Sequence, residues 1–226
     1  MERDAPARAS ALRPPPLLRG RLHQYCFYGS IVIALGLVAQ APSARSRAAV
    51  AIYSLGLAGC LGTSSLYHRG RWSTEVNEWL SRMDRSMIFL LVAGTFTPIC
   101  LLAMRSWVSL ALLLAVWGGA AAGIGMTLLW RHPPTAAEVI PYLTLGWLGL
   151  IAAPQVIHGL GWTAFGLLVG GGALYSIGAV VYAIERPDPW PRVFGFHEVF
   201  HCFVVAAAGL HLAVIGLFVL PHSSLT

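Results

Sequence analysis

The chain has 226 residues, of which 57% are hydrophobic and only 11% charged, with a formal net charge of +6 at neutral pH. About a quarter of a soluble domain is charged, so this composition leaves too little polar surface for a water-soluble fold. All fifteen basic residues are arginine, and they are scattered among loops with few other polar groups. That distribution argues against nucleic acid as a partner and for membrane lipids with anionic headgroups.

Taken in chain order, the pattern predicts an all-α integral membrane protein, a seven-transmembrane helix bundle over residues 23–226. A basic tail, 1–22, precedes it, with five arginines and a Pro14–Pro16 run typical of a disordered segment. The first apolar stretch runs from Tyr25 to Ala41. Ala39-Gln40-Ala41 has the form of a signal-peptidase site, but the stretch exceeds the roughly 7–15 apolar residues of a signal peptide and reads as a retained helix. The second helix spans Arg47 to His68. After a polar connection in which Ser73 and Thr74 are candidate N-caps, the third carries Asp84 and then Met87 to Met104, with a kink expected at Gly94–Pro98. The fourth covers Trp107 to Trp130, the fifth Glu138 to Ile157, and the sixth Trp162 to Ile184; the seventh begins near Phe196. Trp72, Trp79, Trp107, Trp130, Trp162 and Trp190 fall near helix ends, as interface anchors do. Cys26, Cys60, Cys100 and Cys202 lie singly in apolar stretches and read as small buried residues rather than disulfides or metal ligands.

Alternating the seven stretches across a membrane puts twelve arginines on the side of the N-terminus and three, Arg45, Arg47 and Arg105, opposite. The positive-inside rule then predicts a cytoplasmic N-terminus and an external C-terminus in the cell inner (plasma) membrane. The same alternation brings four polar residues to one cytoplasmic depth: His68, Asp84, His197 and His201. His197 and His201 are four apart, so both imidazoles leave one helix face. Such a face at the mouth of a membrane helix is costly unless something occupies it, and zinc is the expected occupant. Three imidazoles would leave a fourth zinc position for water, with Asp84 to manage its proton and Ser64, one turn before His68, to hydrogen-bond the reacting oxygen. His23, His132, His158 and His222 read as headgroup neighbours, and His211 as a bundle-facing hydrogen-bonding residue. His197-Glu198-Val199-Phe200-His201 also fits the H-E-x-x-H peptidase pattern, but the metzincin extension is missing and nothing acidic follows Glu198.

Ser64-Ser65-Leu66-Tyr67-His68, Asp84 leading into Ala93-Gly94-Thr95-Phe96-Thr97-Pro98, and Phe194-Gly195-Phe196-His197-Glu198-Val199-Phe200-His201 are joined by Gly171-Gly172 with Tyr175, Gly178 and Tyr182. Together these resemble the signature of the hemolysin III family, the bacterial branch of the progestin and adipoQ receptor (adiponectin-receptor-like) proteins. The resemblance covers Tyr25 to Val219. It implies seven membrane helices and a zinc ion near the cytoplasmic face, with His68, His197 and His201 as ligands and Asp84 and Ser64 around the zinc-bound water. Ceramidases in the wider superfamily imply hydrolysis of a lipid amide or ester. Arg85 departs from the family pattern, where histidine often follows the aspartate. A structural zinc site in a receptor-like or membrane-homeostasis protein, a cytolysin and an intramembrane metalloprotease stand as the alternatives.

Overall fold

The computed structural model describes residues 16–104, 106–130 and 133–224. The tail residues 1–15, Arg105, Arg131 and His132, all used above, lie outside the described residues. Among the described residues the chain is helical throughout, with no strand beyond an isolated bridge between Trp190 and Phe194.

Helix α1 is Arg21–Gln40, α2 Ala44–Arg69 and α3 Thr74–Pro98. Helix α4 is Trp107–Leu129, α5 Thr135–Trp147, α6 Ala153–Ile184 and α7 Phe196–Val214. Local chemistry sets several of the starts. Ser43 and Ser46 form a reciprocal cap at α2, and the Ser73 hydroxyl accepts the Val76 N–H at α3, where a cap was expected. The irregularity expected near Pro98 falls just past it, as a π turn over Ile99–Ala103. Helix α1 begins four residues ahead of the expected Tyr25. The turn before it, from the stretch read as tail, is ordered: the Leu17 and Leu18 N–H groups donate to the Arg192 and Val193 carbonyls at 3.0 and 3.1 Å.

Among the described residues, six helical segments are long and apolar enough to cross a membrane, and one of them, Thr135–Ile184, has 50 residues. That segment folds back on itself. Gly161 adopts φ +86°, a left-handed conformation that glycine takes without strain, and breaks α6 near its start. Trp147 Nε1 donates to Ser176 Oγ at 3.0 Å. In one straight helix those residues would stand about 43 Å apart, so the arms before and after Gly161 run antiparallel. The break matches the boundary read from the sequence between the fifth and sixth stretches.

Helix α2 packs against α1 and α3, and α6 against α7. The α2–α3 approach needs Gly56, where a Cβ would lie 2.9 Å from the Leu90 carbonyl oxygen. Tyr53, Phe89 and Val116 fill the core. The outer surface is apolar, with Val32, Leu55, Leu114 and Leu217 exposed, as a lipid-facing surface requires. All six tryptophans expected as anchors are exposed. The other two, Trp117 and Trp147, instead donate to hydroxyls on neighbouring helices, Thr97 and Ser176. Cys60 and Cys100 are buried as expected, but Cys26 is only half-buried and Cys202 is exposed, because their positions on α1 and α7 turn them toward the outer surface.

Candidate metal centre

Three helices bring the candidate residues to one end of the bundle, where α1, α3 and α7 begin and α2 ends. His68 occupies the last turn of α2, one turn beyond Ser64 on the same face. His197 and His201 occupy the first two turns of α7. The start of α7 is fixed from two sides: Asp188 Oδ1 accepts the Phe196 N–H at 3.1 Å, and Glu198 Oε2 accepts the Gly195 N–H at 2.8 Å. This double cap leaves the 197 and 201 side chains pointing into the bundle.

One nitrogen from each of His68, His197 and His201 lies within 4.8 Å of the other two. His197 Nε2 and His68 Nε2 are 3.0 Å apart, although 129 residues separate them in the chain. Imidazole nitrogens on a tetrahedral zinc stand about 3.3 Å from one another, so a small adjustment of rotamers would fit the ion. Neutral imidazoles suit zinc and other late divalent metals, which the hard oxygen-seeking cations do not match. Asp84 Oδ2 is 3.6 Å from His68 Nε2, beside the three nitrogens rather than among them. The sequence expectation for His68, Asp84, His197 and His201 as one cluster thus agrees with the geometry.

Two spaces meet at Asp84. A polar cleft of about 510 Å³ is lined by Arg19, His68, Asp84, Glu138, Tyr182 and His197. An apolar cavity of about 160 Å³ runs into the bundle between Ser64, Asp84 and His201 at one end and His211 at the other. Asp84, Ile88, Tyr142 and Phe200 border both. The histidines therefore sit at the junction of a wet opening and a dry interior.

Two side chains, His23 and Glu198, stand elsewhere than the sequence readings put them. His23 is not a headgroup neighbour: it is 3% exposed and stacks on His201, because α1 starts early enough to carry it into the histidine layer. The sequence signal for it is depth: His23 stands at the N-terminal end of the first helix, the same end of the bundle as His68 and His197. Glu198 has no place in either space; it is 4% exposed and pairs with Arg19 at 3.2 Å while capping α7. That leaves the peptidase pattern without its base. Arg85, the departure from the family pattern, lines the same cleft as Asp84, and its Nε lies 2.8 Å from Glu138 Oε1, an ion pair of the cleft wall. His211 behaves as read, its Nε2 3.2 Å from the Leu168 carbonyl oxygen.

A family model described as haemolysin-III related matches residues 13–212. The chain belongs to this family. The matched stretch contains Ser64, Asp84 and all three clustered histidines, and also Arg19 and His23. Hemolysin-3 of Bacillus cereus is 30% identical over 150 residues, 66% of each chain. A hemolysin-3 homolog of Bacillus subtilis (strain 168) is 31% identical over 134 residues, 59% of this chain and 60% of its own. The adiponectin receptor protein of Drosophila melanogaster is 28% identical over 178 residues, 70% of this chain but 40% of its own. The matched stretches thus span 66% or less of these relatives' lengths. Family membership and the apolar helices make this haemolysin-III relative a multi-pass membrane protein in the adiponectin-receptor-like superfamily.

Proposed function

We propose that the chain is a zinc-dependent hydrolase of an amide or ester bond in a membrane lipid, with seven membrane crossings and a cytoplasmic N-terminus in the cell inner (plasma) membrane. The reading is carried by one observation: three imidazoles and a carboxylate converge where a polar cleft meets an apolar cavity. An amphiphilic substrate has the matching division, with a polar headgroup and a scissile bond at the head of an acyl chain. The reversal at Gly161 supports seven crossings, and the arginine excess at the histidine end supports the orientation.

His68, His197 and His201 would hold the ion. Bound there, zinc supplies Lewis acidity, which acidifies a water and polarises a carbonyl oxygen. The Asp84 carboxylate is beside the ligands, in reach of the cleft, and takes a proton from the attacking water. It returns that proton to the leaving amine or alcohol, so water is consumed and a carboxylic acid and an amine or alcohol are released. Ser64, buried at the same level, donates its O–H to the developing oxyanion. The apolar wall around Leu91, Val92 and Leu168 keeps the acyl chain out of water.

The test is lipid-product mass spectrometry on purified protein in lipid nanodiscs supplied with N-acyl and O-acyl lipids. Release of free fatty acid by the wild type, lost in Asp84→Asn with the metal content unchanged, is the expected result. Metal retained with no product from any lipid would favour a zinc that only fastens α2 to α7. The hemolysin name is that of the Bacillus relatives; dye leakage from liposomes holding the purified chain would be needed to extend it here.

A further inference from the structure

We infer that His23 is a positioning residue of the metal centre, and that the turn around it, residues 19–23, is the wall against which the ligands are aligned. The inference rests on the metal reading above. The His23 and His201 ring centroids are 3.8 Å apart with their planes inclined by only 6°, a face-to-face stack. Stacked rings direct their in-plane lone pairs side by side rather than at a shared point. His23 is therefore badly disposed to be a further ligand and well disposed to fix the plane of one. His23 is 3% exposed, and among the described residues neither of its ring nitrogens makes a hydrogen bond of good geometry. A histidine kept buried for its hydrogen bonds would have them. What this one has is a flat face on a ligand.

Its neighbours make the same kind of contact. Gly20, at φ +72°, brings the backbone so close to α2 that a Cβ there would lie 2.7 Å from the His68 Cβ. Arg19 pairs with Glu198, the residue next to His197 and the cap of its helix. The turn that opens α1, residues 19–23, thus stacks on His201 directly, passes close beside the His68 Cβ and reaches His197 through the adjoining residue. A metal's affinity and geometry depend on groups that orient its ligands, and no other described contact fixes the plane of the His201 ring by stacking: its other ring neighbours are inclined by 55° or more.

The experiment compares full-length wild type, His23→Phe and His23→Leu in detergent. Zn²⁺ affinity is measured by competition with a chromophoric chelator, and ligand geometry by the visible absorption of bound Co²⁺. Phe keeps a flat face without nitrogens, whereas Leu keeps apolar bulk without a face. The expected result is Zn²⁺ affinity and a Co²⁺ spectrum close to wild type for His23→Phe. His23→Leu should bind Zn²⁺ about 10–100-fold more weakly, with shifted Co²⁺ bands. A merely structural loosening would lower the melting temperature of the metal-free protein and leave the Co²⁺ bands in place, which overturns the inference. It is also overturned if the two variants behave alike: both like wild type would mean that the face is irrelevant, both weakened that the nitrogens matter. A wild type that binds neither ion removes the metal reading itself, an outcome distinct from any difference among the variants.

Discussion

His201 and His211 stand on the same helix, ten residues and about 15 Å apart, and both project into the apolar interior. His211 meets a backbone carbonyl, that of Leu168, and the tilted ring of Tyr175. One hydrogen bond answers one imidazole, and nothing further is required there. His201 meets three other imidazoles, those of His68, His197 and His23, besides the ring of Phe200. Several imidazoles turned toward one point, with Asp84 beside them, form the donor set that a shared divalent cation takes. On one helix, the contrast sets a histidine with a backbone partner against histidines gathered into a cluster that could hold a metal ion.

The comparison can be broken at several points, and the largest effect is expected at the ligands. His68→Ala, His197→Ala or His201→Ala should each remove the zinc from purified protein, read by elemental analysis, while His211→Gln keeps it. A His211 variant that loses the metal would erase the distinction. Next in size is Asp84→Asn, for which turnover should fall about 10²–10⁴-fold with zinc retained, the range of a lost proton-transfer group. Stripping the ion with a chelator should abolish turnover in the wild type and lower its melting temperature. Added Zn²⁺ should restore both, since binding to the folded state alone stabilises it. Arg19→Ala strands Glu198, which is 4% exposed, and should destabilise the protein by about 1–3 kcal/mol in a denaturation series. The smallest change is expected for His211→Gln, about 1 kcal/mol or less, because an amide can replace the bond to Leu168.

The histidine cluster was legible from sequence because it depends on two simple periodicities. A four-residue spacing places His197 and His201 on one face, and alternating crossings bring His68 and Asp84 to their level. The Gly161 reversal was legible too, since the apolar pattern pauses at His158 and resumes at Trp162. What escaped were long-range pairs with no local pattern. Arg19 with Glu198 and Arg85 with Glu138 join distant segments, and no periodicity announces either. The misreading of His23 had a different cause: the first helix was begun at Tyr25, where the apolar run starts, whereas a glycine at Gly20 lets it begin at Arg21. A shift of one helical turn moved a histidine from the headgroups into the centre.

The most direct test of the central claim is X-ray absorption at the zinc edge of the purified, active chain. One zinc per chain with three imidazole nitrogens at about 2.0–2.1 Å is predicted, the fourth position being filled by oxygen. An intact preparation free of metal, or one whose zinc has fewer than three imidazole ligands, would contradict it.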